Sequence, residues 1–387
     1  MDHILKCHEI VKTDFVRGRN CTLVDSRGRR YLDLESGIWC TALGHNHPAV
    51  SRVIRAQLKT ISHLGTRYPN ALAEEAAKDV LSITGIGEGK CIFLSSGSEA
   101  VEFGVQVLRR LGEKPLLLTF QNSYLGSYGS AGKKRPDEWH LLDWTACDPS
   151  DPTACLEGIP FDRIGGFVLE PGGSGIGFVR FPPSALVVEI ARRVKAQGGL
   201  LMANEITTGM GRTGKWFGFQ HYDFQPDVVA LGKGLGNGYP VSAAAMNGEV
   251  AARLEADDFH YVQSHQNDPL GCAVAREVIR LFREGKWVER GAATGASFLE
   301  GLQRLAKKHS LVREIRGRGM LLGMEFGPHE RFSAATAYHA LVEKGFLAGY
   351  YPAGNLLRLD PALTIARRDV DRFLACLDGV LEAAEKT

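Results

Sequence analysis

The chain has 387 residues, is 44% hydrophobic and 23% charged, and carries a net charge of +2. Those values describe an ordinary globular chain of two or three lobes and give no argument for nucleic acid or an anionic membrane as a partner. Residues 1–10 lack the apolar core of a signal peptide, and no stretch supplies the ~18 uninterrupted apolar residues of a membrane span.

Eight cysteines are scattered without a C-x-x-C pair. That spacing argues against a zinc site or a disulfide framework, so no metal is expected. Free thiols without an export signal predict a cytoplasmic protein.

Taken in chain order, residues 21–35 alternate around the turn Asp25-Ser26-Arg27-Gly28 and predict a hairpin. A helical pattern follows over 49–58. Short β-rich runs then alternate with helical stretches: 91–94, 116–119, 166–169, 200–203 and 228–231. The amphipathic segment 184–197 has its apolar positions at helical spacing. Such alternation predicts an α/β fold with a mostly parallel sheet. After about Lys286 the pattern changes to a helix over 291–308, a stretch 312–326, a helix over 334–344, an extended 355–359 and a closing helix from Arg368. This outlines a smaller C-terminal α+β lobe. The predicted division is an N-terminal segment 1–45, a large domain 46–285 and a small domain 286–387.

Two of the buried runs end in polar residues that an apolar core would not select. The run 200–203 stops at Asn204 and Glu205, and 228–231 stops just before Gly232 and Lys233. Ligands in open α/β sheets sit at the carboxyl ends of strands. A lysine there, inside Gly232-Lys233-Gly234-Leu235-Gly236-Asn237-Gly238-Tyr239-Pro240, is a candidate imine-forming nucleophile; the competing reading is a solvated loop lysine. Two other motifs fail on context. Gly209-Met210-Gly211-Arg212-Thr213-Gly214 matches the dinucleotide fingerprint, but the aromatic, glycine-broken Lys215-Trp216-Phe217-Gly218 follows where a helix must start. The same stretch approaches a P-loop, with Trp216 where a magnesium-binding hydroxyl is required.

Asn204-Glu205-Ile206-Thr207-Thr208-Gly209 through Gly214, followed by the Lys233 segment, resembles the class III pyridoxal-phosphate aminotransferases of the acetylornithine, ornithine and 4-aminobutyrate type. Landmarks from Gly44 to Pro361 fall in family order, so the resemblance covers nearly the whole chain. It implies the fold-type-I architecture of pyridoxal-phosphate-dependent transferases, a large mostly parallel-sheet domain with a smaller C-terminal α+β domain. It also implies pyridoxal 5'-phosphate as cofactor, held by Lys233 as an imine, and amino-group transfer from an amino acid or amine donor to a 2-oxo acid acceptor.

Ser95-Ser96-Gly97-Ser98-Glu99-Ala100 reads either as a plain helix cap or as a phosphate cradle of helix-start amides. Its similarity to the family's S-G-T-E-A-N-E favours phosphate binding by Ser96, Gly97 and Ser98. Tyr124 resembles the aromatic residue that stacks on the cofactor, against a packing alternative. The family histidine is Leu125 here, and the arginine that in ornithine-type members helps hold a distal carboxylate is Ser127, which argues against an identical substrate set. Glu170-Pro171-Gly172-Gly173-Ser174-Gly175 resembles the family's E-P-x-x-G-E. Gly175 replaces the second glutamate, which can mask a substrate-binding arginine, so no such mask is expected here. The matching arginine is Arg358, suited to bidentate contact with a carboxylate, or else a surface strand residue. Trp39 joins it as a substrate-binding residue. Ser264 matches a threonine that reaches the partner subunit's phosphate, which implies a homodimer. Ile206 and Thr207 complete the expected cofactor contacts, with Thr207 in the place of a glutamine.

The largest departure is Asn204, which stands where the family has an aspartate that keeps the pyridine nitrogen protonated. A neutral amide makes a weaker electron sink. The resemblance therefore leaves a racemase or epimerase on the same scaffold as an alternative, and a non-catalytic cofactor-binding protein as a third reading. The expected partners are small molecules and a second copy of the chain, with no nucleic acid and no membrane.

Overall fold

The computed structural model describes residues 3–5, 7, 13–148, 150–172 and 179–386. Strands are β1 (Phe15–Arg19), β2 (Thr22–Asp25), β3 (Arg30–Asp33), β4 (Gly89–Leu94), β5 (Leu116–Phe120), β6 (Trp139–Leu142), β7 (Ile164–Leu169) and β8 (Leu200–Asn204). They continue as β9 (Val228–Leu231), β10 (Ser242–Asn247), β11 (Val312–Arg318), β12 (Leu321–Phe326), β13 (Phe346–Leu347), β14 (Gly349–Tyr351) and β15 (Leu356–Leu359).

The large sheet has seven strands in the order β4-β10-β9-β8-β7-β5-β6. Strands β9 to β6 along that order pair in parallel, and β10 runs antiparallel to both of its neighbours. Strands β5, β7, β8 and β9 are buried at every residue, which is why they read as unbroken apolar runs rather than alternating ones. The helix Gly97–Gly112 packs across β7, β8, β9 and β10, while Ser184–Ala196 covers β7 and β8. Gly104 on the first helix permits that packing, because a Cβ there would strike the Met202 side chain at 2.6 Å.

The C-terminal part carries a second, four-stranded sheet, β11-β12-β15-β14, antiparallel throughout and packed by the helix Trp287–Lys308. The predicted hairpin is β2–β3, with Gly28 at φ +83 in its turn. It belongs to a third sheet, β1-β2-β3-β13, in which β13 from the C-terminal part pairs in parallel with β3.

Several elements went unpredicted. The strand β10 is Ser-Ala-Ala-Ala-Met-Asn, whose alanines favour helix locally; two strand neighbours override that preference. The helices Ala71–Thr84 and Pro269–Glu284, which pack on each other, also escaped the periodicity reading. The expectation that all cysteines are free thiols is corrected. Cys147 and Cys155 form a disulfide, brought together by the turns that return the chain between β6 and β7, with their Cα atoms 5.5 Å apart. Among the described residues, no helix is long and apolar enough to cross a membrane.

Candidate active site

The carboxyl ends of the central strands converge. Strand β8 ends on Asn204, β9 is followed by Gly232 and Lys233, β7 by Glu170, β4 by Ser95 and Ser96, and β5 by the segment containing Tyr124.

Lys233 adopts φ +43, the left-handed region that costs a non-glycine residue strain. Its Nζ donates to Thr207 Oγ1 at 2.9 Å and lies 4.5 Å from the centre of the Trp39 ring. Burial lowers its pKa to about 8; Cys40 and Glu170 oppose the shift, and Arg358 adds to it. The sequence reading of a desolvated lysine thus acquires a cause. An amine near neutrality in its pKa is a competent nucleophile and base.

Ser96 caps the helix Gly97–Gly112 in a capping box: its Oγ accepts from Glu99 N, and the Glu99 carboxylate accepts from Ser96 N. The plain-cap reading of this serine is therefore correct as far as it goes. It leaves the amides of Gly97 and Ser98, in the first turn, without intrahelical acceptors at the positive end of the helix dipole. Ser98 Oγ lies 3.1 Å from Ser127 Oγ and accepts from Ser127 N at 3.2 Å. A Cβ at Gly97 would collide with Ile206 at 2.7 Å, so Ile206 sits directly beneath the helix start.

Asn204 is buried, and its amide orientation follows from its partners. Nδ2 donates to the Tyr124 carbonyl at 2.9 Å, and Oδ1 accepts from Ile206 N at 3.3 Å. Tyr124 N donates to Glu170 Oε2 at 2.9 Å, which fixes the backbone while the Tyr124 side chain stays exposed. Leu125, by contrast, is buried in the core. Glu205 beside Asn204 is structural: its carboxylate accepts from Gly218 N, Phe219 N and Thr208 Oγ1, and burial raises its pKa to about 7.

Arg358 is no surface residue. Only 2% exposed, it donates from Nε to Asp360 Oδ1 at 2.7 Å, from Nη2 to Glu35 Oε1 at 2.8 Å, and from Nη1 to the Tyr351 hydroxyl. Its guanidinium carbon lies 3.9 Å from the centre of the Trp39 ring, which therefore touches both cations of the site. Arg358 is nonetheless paired with an acid, Glu35 of the N-terminal segment, which is not the glutamate of the family motif. Gly175, on which the expectation of an unmasked Arg358 rested, lies outside the described residues. Glu35, Tyr351 and Asp360 were missed by the sequence reading. Glu35 and Arg358 are 323 positions apart, and no local pattern marks the acid that follows the hairpin.

Ser264 is exposed on the connection between the helices Gly248–Ala256 and Pro269–Glu284. No hydrogen bond among the described residues joins it to the cluster around Lys233.

The donor set fits a phosphorylated pyridine aldehyde. Gly97, Ser98 and Ser127 offer amides and hydroxyls for a phosphate, Asn204 offers an amide for a ring nitrogen, and Lys233 offers an amine for an aldehyde carbon. Among the described residues, Trp39 Nε1 is a buried donor without a partner, as expected of a group left for a ligand.

Comparisons with known proteins show the family. The family described as aminotransferase class-III matches residues 6–131 and 154–381. The chain is similar to the acetylornithine aminotransferase of Caldanaerobacter subterraneus subsp. tengcongensis, at 31% identity covering 95% of this chain and 94% of that protein. It is 33% identical to the acetylornithine aminotransferase of Mycobacterium bovis, covering 95% and 91%. Among solved structures, a transaminase from the marine bacterium Virgibacillus superposes with a TM-score of 0.91 at 24% identity, covering 100% of this chain and 97% of that one.

Proposed function

The chain belongs to the class-III aminotransferases, and from that premise we infer that its active site is the cleft where β4, β5, β7, β8 and β9 end, with Lys233 as the residue that holds pyridoxal 5'-phosphate. The protein is an amino-group transferase, and the cofactor belongs to the family. The observation that carries the site assignment is the Lys233 amine itself: desolvated to a pKa of about 8, bonded to Thr207, and placed at the carboxyl edge of a parallel sheet.

Bound there, pyridoxal phosphate supplies the electron sink that weakens the bonds at the Cα of an attached amine. The chain's residues do the rest. The first-turn amides of Gly97 and Ser98, with the nearby hydroxyls, would hold the phosphate. Tyr124 offers its ring as a stacking face and Ile206 an apolar floor. Asn204 would hydrogen-bond the pyridine nitrogen, and Thr207 the phenolic oxygen. Lys233 Nζ takes the proton from the substrate Cα; an amine of that pKa is partly unprotonated at neutral pH. Arg358 would bind the substrate carboxylate, with Trp39 closing one face of that subsite and excluding water.

The substrates on this reading are a small amino acid or amine donor and a 2-oxo acid acceptor. Ser127, where ornithine-type relatives carry a cation, argues that the substrate set differs from theirs. We further read the protein as a homodimer in which Ser264 reaches the partner's phosphate site; its exposure on a connecting segment, away from its own subunit's cluster, supports this. The reading of a cytoplasmic location rests on the cysteines outside the Cys147–Cys155 bridge, which are free thiols. The division into 1–45, 46–285 and 286–387 is retained as the domain assignment.

The test is spectral. Purified holoenzyme mixed with an amino acid and no oxo acid accumulates the pyridoxamine form of the cofactor, and a 2-oxo acid reverses it. Loss of optical activity of the amino acid without that change marks a racemase instead, the reaction that the neutral Asn204 would favour.

A further inference from the structure

Two connecting segments that lie far apart in the sequence bring three metal-ligating side chains together. His63 lies on the connection between the helices Pro48–Gln57 and Ala71–Thr84, while His265 and Asp268 lie on the connection that leads into Pro269–Glu284. His63 Nδ1 is 2.7 Å from Asp268 Oδ1, and His265 Nδ1 is 2.6 Å from Asp268 Oδ2. The two imidazoles, tilted at 59° with ring centres 5.0 Å apart, aim the same nitrogen at one carboxylate. One ligand atom from each residue lies within 4.8 Å of the other two, and among the described residues no other group of three His, Cys, Asp or Glu does so.

The carboxylate forgoes its ordinary role to face them. Asp268 immediately precedes Pro269 at the start of a 16-residue helix, where an aspartate usually accepts from the free amides of the first turn. It makes no such cap bond. Its oxygens face the imidazoles instead, and Oδ1 takes one further bond from Leu64 N at 3.3 Å, on the His63 segment.

Backbone anchored elsewhere presents the three side chains. Asn267 adopts φ +58, a left-handed conformation that asparagine tolerates better than most residues. Its N–H donates to Phe93 O and its Oδ1 accepts from Phe93 N, both at 2.9 Å, on β4. Its carbonyl accepts from Asn70 Nδ2 at 3.1 Å, and Asn70 caps the helix Ala71–Thr84. The large sheet and that helix start therefore hold the two connections in place.

We propose that His63, His265 and Asp268 form a zinc site that clamps the connection before Pro269–Glu284 to the connection before Ala71–Thr84. Two imidazole nitrogens and one carboxylate select a borderline transition metal over magnesium or calcium, which take oxygen ligands. Zinc bonds nitrogen and carboxylate oxygen at about 2.0–2.2 Å, so two of its tetrahedral ligands sit roughly 3.3 Å apart. The nitrogen–oxygen pairs need to open by only about 0.6 Å to admit the ion. Each imidazole then binds through Nδ1 and carries its one proton on Nε2, so neither changes charge. The single carboxylate leaves the ion a residual positive charge. Side-chain exposures of 51% for His63 and 61% for His265 leave that charge, and a fourth coordination position, to water. All three ligands belong to one protomer, and the site is independent of the roles given to Lys233 and Ser264. The lack of C-x-x-C pairs bears only on thiolate sites.

Untagged holoenzyme, stripped of metal with EDTA and then freed of the chelator, is titrated with zinc against a colorimetric indicator. One zinc per chain with a micromolar Kd is expected, and no binding of that affinity in a His63→Gln/His265→Gln double variant. Zinc at roughly a hundred times its Kd should raise the thermal midpoint by about 3 °C in the wild type and leave the double variant unmoved. Co2+ added to the wild type should develop the intense visible absorption of a four-coordinate ion, which decides the question without any variant. The weak spectrum of the hydrated ion, stoichiometric zinc retained by the double variant, or zinc bound without a shift in the thermal midpoint each overturns the proposal.

Discussion

The side-chain amide of Asn204 donates to the backbone carbonyl of Tyr124 at 2.9 Å, while its own oxygen accepts from Ile206 N at 3.3 Å. The oxygen accepts from one donor and one N–H is given to an acceptor, so Asn204 keeps its second N–H and the oxygen's second lone pair for a ligand. A neutral amide can therefore meet a pyridine nitrogen in either protonation state but, unlike a carboxylate, supplies no charge to hold the proton. The departure noticed in the sequence is therefore built into the local hydrogen bonding.

Asn204→Asp should have two effects of opposite sign. A carboxylate oxygen would face the Tyr124 carbonyl in place of the N–H, losing one bond and setting two acceptors together; the expected loss of stability is about 1–3 kcal/mol, read from the thermal midpoint of the apo-protein. With cofactor bound, the charge favours a protonated ring, and the half-reaction with a good amino donor should accelerate in stopped-flow absorbance. Unchanged stability and unchanged cofactor spectra together would show that Asn204 does not face the ring nitrogen.

Lys233→Ala should abolish both turnover and the borohydride-reducible adduct while leaving the circular dichroism of the fold intact. A variant that still forms the adduct would place the cofactor on another lysine.

The depressed pKa of Lys233 predicts a pH dependence in the apo-protein. Its folded value, about 8, lies below the ordinary 10.5 of an unfolded lysine. Between those values the unfolded chain binds the additional proton, so this residue's contribution to stability rises with pH from about 8 to 10.5. Cofactor capture, which needs the free amine, should accelerate as pH climbs through about 8 and then level off. Stopped-flow capture rates that do not change between pH 7 and 9 would contradict this.

Arg358→Lys keeps the charge but loses the planar fork that serves Asp360, Tyr351 and Glu35 at once. One charge-assisted bond is worth roughly 1.5–3 kcal/mol, so KM for a 2-oxo acid should rise on the order of 10- to 100-fold with a smaller change in kcat. Equal effects on an amine donor lacking a carboxylate would indicate general damage to the site instead.

Ser264→Ala should weaken cofactor retention, measured by dialysis and residual absorbance, without altering the sedimentation coefficient of the expected dimer. A fully active monomer at assay concentration would remove the role given to this residue.

Much of this site was legible in the sequence because its parts are local. Residues at strand ends inherit their position from the strand: Lys233 follows β9, Asn204 closes β8, and Ser96 to Ser98 open a helix immediately after β4. Buried parallel strands announce themselves as apolar runs, and a polar residue that ends one is conspicuous. The family resemblance rests on the same contiguous motifs. What the sequence did not contain is pairing between distant segments. Strand β10 carries helix-favouring alanines and becomes a strand only because β4 and β9 flank it. Cys147 and Cys155 meet because turns between them bring the chain back. Glu35 reaches Arg358 across 323 positions, and a left-handed turn at Ser36–Trp39 carries Trp39 into contact with both Arg358 and Lys233. Local periodicity determines which residues are buried and where strands end. Which buried charges face each other is decided by tertiary packing, because desolvation makes each of them seek a partner wherever the fold supplies one.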